Sequence, residues 1–202
     1  VNGGIAGVPF PATSMPDRDW WSALWTYPEG MLRSLGIEPE MTVLDLCCGD
    51  GYFTAPLATL VDGKVHALDL DPVMIEQARE EVERQGASVR QWILADALDV
   101  AERLSGPVDC VLMANTFHGV PDQKRLAAEV RKVLRPGGNF AIVNWRPLPR
   151  EETTVLGQAR GPTTAMRMSP DDVVATVGPE GFDRGRVIDL LPYHYGVLLR
   201  AT

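Results

Sequence analysis

The chain has 202 residues, which suits one domain, or one domain with short extensions. Apolar residues make up 45%, enough to build a core, yet no apolar run approaches the ~18 residues of a membrane-spanning helix. The net charge of −8 would repel a phosphate backbone, which argues against DNA or RNA as a partner. Three cysteines, two of them adjacent, point to reduced thiols in the cytoplasm. Val1 to Ser14 carries no charged residue and so lacks the basic region of a secretory signal.

Residues 1–16 read as a loose leader, with Met15 a candidate natural start, and 17–202 as one domain. Within it, 17–40 is expected to form a helical lid or brace carrying Trp20, Trp21, Trp25 and Tyr27. From 41 to 145 strands and helices alternate. Thr42 to Leu46 is an apolar strand, and Tyr52 to Val61 a helix. After the turn signal Asp62-Gly63 comes a strand from Lys64 to Leu70. Asp71-Pro72 is an N-cap followed by proline at the first helical position. Met74, Ile75, Ala78 and Val82 then recur at helical spacing up to Gly86. Strands are expected at Ser88 to Leu94 and Val108 to Ala114, with a short helix at Ala97 to Leu104 between them. A helix from Asp122 to Leu134 is expected to stop at Arg135-Pro136-Gly137-Gly138, before a strand from Asn139 to Trp145. Near-continuous apolar strands between helices mean a parallel sheet covered on both faces.

From 146 the pattern changes. Arg146 to Met168 has no period and reads as a long loop, a type that tends to be functional or mobile. Ser169-Pro170-Asp171-Asp172 opens a short helix. Arg186 to Leu191 and Tyr195 to Arg200 read as a closing antiparallel strand pair.

The strongest constellation lies at the strand ends. Asp45 closes the first strand, and Gly49 and Gly51 sit in the turn before the helix, where glycine permits close backbone approach. Asp69 ends the second strand, eighteen residues after Gly51, and can accept hydrogen bonds from two ribose hydroxyls. Asp96 follows the third strand and can accept from an adenine amino group. All three would face the crevice where ligands of open α/β sheets bind.

These residues resemble a family. Val43-Leu44-Asp45-Leu46-Cys47-Cys48-Gly49-Asp50-Gly51 is similar to motif I of the class I S-adenosylmethionine (SAM)-dependent methyltransferases, with Cys47 where the family usually has glycine. Asp69, with its neighbour Leu70, matches the ribose-binding position, and Asp96-Ala97 the adenine-binding motif. Leu134-Arg135-Pro136-Gly137-Gly138 resembles the turn before the fifth strand. The resemblance covers roughly Pro39 to Trp145 and leans toward small bacterial enzymes of the quinone-biosynthesis type. It implies a Rossmann-like α/β fold, a seven-stranded mostly parallel sheet in the order 3-2-1-4-5-7-6, with helices on both faces and an antiparallel last strand. It also implies SAM as cofactor, S-adenosylhomocysteine (SAH) as product and a small-molecule acceptor. The expected cofactor residues are Asp45, Cys47, Gly49, Gly51, Asp69, Leu70, Asp96, Ala97 and Asn115. A monomer or homodimer without a metal is expected.

Competing readings stand beside these. A nicotinamide oxidoreductase would need a third glycine where Thr54 stands. A SAM-binding or thiol sensor without turnover would use Cys47 and Cys48, but adjacent cysteines lack zinc-site spacing and read better as pocket lining. Asn115-Thr116-Phe117-His118 follows the fourth strand, and His118 is the candidate general base, with pocket shaping as the plainer alternative. Tyr193 and His194 read as a hairpin turn, Glu151 and Glu152 as solvated loop residues, the tryptophans as packing. Arg131, Lys132 and Arg135 read as the solvated end of a helix.

Overall fold

The structure is a computed structural model that describes residues 18–202. The leader expected over 1–16 lies outside the described residues. Two short helices, α1 (Arg18–Leu24) and α2 (Pro28–Ser34), precede the alternating core. The core comprises β1 (Val43–Leu46), α3 (Thr54–Leu60), β2 (Val65–Asp69), α4 (Pro72–Arg84), β3 (Gln91–Leu94), α5 (Val100–Arg103), β4 (Val108–Ala114), α6 (Gln123–Val133) and β5 (Leu134–Trp145). A small hairpin, β6 (Thr154–Val155) and β7 (Gln158–Ala159), then precedes α7 (Pro170–Val177), β8 (Phe182–Leu190) and β9 (His194–Ala201).

The main sheet has seven strands in the order β3-β2-β1-β4-β5-β9-β8. Counting only its own strands, this is the expected 3-2-1-4-5-7-6. β1 to β5 are parallel, and β9 runs antiparallel to both β5 and β8. Side chains alternate between two cores. Leu44, Leu46, Val111, Met113, Phe140 and Ile142 pack with α6 and α7. Val43, Val65, Leu112, Ala141 and Val143 pack with α1, α2 and α3. Ile75 and Ala78 of α4 pack on Ala67 of β2.

Local chemistry explains the boundaries. The Asp71 carboxylate accepts from Val73 N at 2.8 Å, capping α4 ahead of Pro72. Ser169 and Asp172 form a reciprocal capping box that starts α7. Two expectations need correction. Arg135 to Gly138 does not separate α6 from β5. Pairing with β4 already begins at Leu134 opposite Val108, then shifts register before Cys110 meets Asn139, so these residues form a bulge inside the strand. Likewise β8 begins at Phe182 rather than Arg186, because pairing with β9 resumes beyond a second register shift between Arg184 and Val187.

The stretch from Arg146 to Met168 is a loop, but a folded one. Thr153 is completely buried, and its hydroxyl lies 2.9 Å from the carbonyls of Arg150 and Arg160 and accepts from Arg167 at 2.8 Å. Gly161 lies flat on Trp145: a Cβ there would come within 2.8 Å of the indole. Each residue of the basic trio near α6 has an acceptor: Arg131 the Thr202 carbonyl, Lys132 Glu129, and Arg135 Asp109. No helix among the described residues is long and apolar enough to cross a membrane.

Candidate active site

The parallel strands all end at one edge of the sheet. Because β9 is antiparallel, its first residue, His194, lies at that edge too, paired with Trp145 at the end of β5. The residues that follow β1 to β5 therefore line one crevice.

On the side of β1 to β3 the groups are acidic. Asp69 Oδ2 accepts from Gly49 N at 2.8 Å and Oδ1 from Asp71 N at 3.0 Å. These bonds aim the carboxylate and leave each oxygen a further lone pair. Asp96 is exposed, and its Oδ1 accepts from Leu98 N at 2.9 Å, which caps the turn at Ala97–Asp99. Leu70 is exposed beside Asp69, and Ala97 is buried.

Asp45 lies beneath the loop, 2% exposed, accepting from Thr54 Oγ1 at 2.7 Å. The residue at which a dinucleotide loop needs glycine thus uses its hydroxyl to hold this carboxyl. Burial pushes Asp45 up to about 7, the Thr54 bond opposes that rise, and the Asp69 charge adds to it. The folded chain therefore holds this proton more tightly than the unfolded chain does. The stability it contributes is fully present below about pH 4 and is lost as pH rises through about 7. Urea unfolding of the ligand-free protein should show a decline of a few kcal/mol across that window, absent in Asp45→Asn; an identical slope in the variant would remove Asp45 as its source.

Gly51 has φ +83°, and a Cβ there would lie 2.7 Å from Ala78 Cα. Its smallness serves the contact of the loop with α4, a packing reason for glycine that stands beside the expected ligand-seating role. Two non-glycine residues at the crevice also have positive φ, Cys47 (+63°) and Asn115 (+61°). That conformation costs Cys47 roughly 1–2 kcal/mol, while asparagine adopts it more readily. The Cys47 and Cys48 thiols are pushed up by burial first, then by the charges of Asp45 and Asp69, so they stay protonated. A protonated thiol is a poor nucleophile or metal ligand, which favours pocket lining. Next to them, Asp50 and Glu81 both receive Arg18, at 3.1 and 2.6 Å, which fastens α1 to the loop.

Beyond β4 the groups become cationic and aromatic. Both polar atoms of the Asn115 amide are buried without a hydrogen-bond partner among the described residues. His118 Nδ1 lies a long 3.5 Å from Asn144 Oδ1, and burial lowers its pKa. His194 is 1% exposed, between Trp25 (4.6 Å between ring centroids) and Trp145 (4.2 Å). Burial, with Arg167 and Arg146 nearby, keeps it neutral. It is a buried strand residue, not part of a turn; only Tyr193 of that pair lies in the connection, stacked on Trp145. Trp20, Trp21 and Trp25 are buried and pack edge to face, the packing alternative. Glu151 and Glu152 are exposed.

Sequence reasoning missed Asn144, Arg146, Arg160, Arg167 and the burial of His194. The arginines are spread through an aperiodic loop, so no spacing marks them. The one usable signal was Trp145 at the end of an apolar strand followed by such a loop.

Residues 43–138 match the family model described as a methyltransferase domain. A 2-phytyl-1,4-naphtoquinone methyltransferase of Trichormus variabilis is 30% identical over 63% of this chain and 58% of its own length. A demethylmenaquinone methyltransferase of Bacillus mycoides is 27% identical over 64% of this chain and 53% of its own. A SAM-dependent methyltransferase structure from Aquifex aeolicus superposes with a TM-score of 0.74 at 26% identity, over 90% of this chain and 93% of that one. Over its core the chain resembles the class I SAM-dependent methyltransferases in sequence and fold. It spans only a little over half the length of these two curated relatives.

The residues of this chain fit the cofactor of the family it resembles. SAM carries a sulfonium and an ammonium against one carboxylate, so it is a net cation, and Asp69 and Asp96 lie at the expected end of the crevice, with Asp45 buried beneath the loop. The unpartnered Asn115 amide offers a donor and an acceptor beside them.

Proposed function

We propose that this chain is a methyltransferase that moves a methyl group from SAM to a small-molecule acceptor bound between the end of β4 and the Arg146 to Met168 loop. The observation that carries the reading is Asn115. A buried amide with no partner among the described residues costs free energy, and it follows the central strand, between the acidic and the cationic half. When bound, SAM supplies an electrophilic methyl group on a sulfonium, and SAH remains.

The chain's own residues hold and orient. Asp69 would take the ribose hydroxyls and Asp96 the adenine amino group. The Cys47 to Asp50 backbone would surround the methionine part, and Asn115 would border the methyl group. His118 would receive an acceptor proton: its imidazole is kept neutral by burial, and donation from Nδ1 to Asn144 Oδ1 would leave Nε2 as the base. Most of the rate would come from holding donor and acceptor in line.

The same charges argue against a nicotinamide cofactor. Its pyrophosphate would meet Asp69 and Asp96, and Thr54 is committed to Asp45 beneath the loop. Calorimetry should show saturable binding of SAM and SAH and no heat from NADH. NADH binding as tight as SAM would sink the reading. The sensor alternative ends if methyl-labelled SAM delivers its label to any metabolite of a cell extract.

A further inference from the structure

The proposed cofactor half of the crevice is acidic, and the opposite half carries buried polar groups with no partner among the described residues. Arg167 is 8% exposed. Its Nε and one NH2 group donate to the carbonyls of Pro162 and Arg160 and to Thr153, while NH1 has no partner among the described residues. Its guanidinium carbon lies 5.2 Å from the Trp145 ring centroid. Arg160 stands likewise 5.2 Å from the Trp20 ring, with a buried, unpartnered Nε. At Trp145, Asn144 and His194, each 1% exposed, leave Nδ2 and Nε2 without partners among the described residues. Arg146 closes the rim, paired to Asp189 at 2.7 Å but with its Nε unpartnered. Such buried, unmet donors are costly and are normally satisfied.

We propose that the methyl acceptor carries a carboxylate, held by Arg167 and Arg160 with the Asn144 amide; this rests on the methyltransferase reading above. A guanidinium edge is planar and matches a carboxylate. Arg150 and Arg146 are tied to Gly161 O and Asp189, and Glu151 is the further acid acting on Arg167, so the open charge suits a monoanion better than a phosphate dianion. The two halves would then divide the substrates by sign, the cationic cofactor on the β1 to β3 side and the anionic acceptor on the β5 and β9 side.

The test uses the full chain saturated with SAH and reads tryptophan fluorescence, since Trp20 and Trp145 lie under the two arginines. Benzoate should quench it saturably, and neutral benzamide should bind at least tenfold more weakly. Arg167→Gln and Arg160→Gln should each weaken benzoate at least tenfold and leave SAH affinity within twofold. Arg167 also ties the loop together; if its variant does not fold, Arg160→Gln decides alone. Benzamide binding as well as benzoate, inorganic phosphate binding more tightly, or unchanged benzoate affinity in the variants would overturn the proposal. Loss of SAH affinity in Arg167→Gln would overturn it too, because the arginine would then serve the cofactor's own carboxylate. SAH binding without benzoate binding sinks this proposal alone. If SAH fails to bind the folded wild type, the methyltransferase reading falls and takes this one with it.

Discussion

Replacing Asp69 with alanine is expected to weaken SAM binding about a hundredfold. A hydrogen bond to a charged group contributes about 1.5–3 kcal/mol, and in the proposed site the carboxylate takes two ribose hydroxyls. A combined loss near 3 kcal/mol corresponds to about two factors of ten in affinity. The substitution also frees the Gly49 and Asp71 amides, which Asp69 holds at 2.8 and 3.0 Å, so the loop loses its anchor along with its ligand contact. Asp69→Asn separates the two effects. It retains an oxygen for one backbone amide but lacks the charge, and its affinity should fall between wild type and alanine. Calorimetry with SAM and SAH measures both variants, with thermal unfolding as the control for folding. Affinity in Asp69→Ala within threefold of wild type would show that the ribose lies elsewhere.

Gly51→Ala is expected to destabilise the protein by about 3 kcal/mol with no ligand present. Adopting φ +83° costs an L-residue roughly 1–2 kcal/mol, and overpacking typically adds 1–3 kcal/mol. The new methyl would lie 2.7 Å from Ala78 Cα, which is backbone, so no side-chain rotation relieves it and Ala78→Gly should not rescue the variant. Urea unfolding of the ligand-free chain reads the effect directly. A variant of wild-type stability that loses SAM binding would return Gly51 to the role of a ligand seat. A less stable variant that binds SAM normally once folded would establish its packing role.

Much of the architecture was legible along the chain. The apolar runs ending at Leu46, Asp69, Leu94 and Ala114 are short-range signals, as are the Asp71-Pro72 and Ser169-Pro170 helix starts. Asp45, Asp69 and Asp96 could be found because each lies within two residues of the end of its strand, and in a parallel sheet all such positions share one edge. Sheet pairing across a register shift is not written locally, so the bulge at Arg135 to Gly138 read as a turn.

The acceptor half was illegible for a related reason. Trp145 and His194 are 49 positions apart in sequence and become neighbours because β9 is antiparallel to β5. Arg160 and Arg167 join them only because the loop folds over Trp145, with Gly161 against its ring and Thr153 buried beneath. A cofactor site built at successive strand ends has a period that a sequence displays. The order of strand types and the acidic cofactor edge were therefore determined by the sequence alone. The tertiary structure decided that Gly51 packs against Ala78, that His194 is buried, and that Arg160 and Arg167 lie on Trp20 and Trp145 with unmet donors, because burial and unmet hydrogen bonds arise only when distant segments pack.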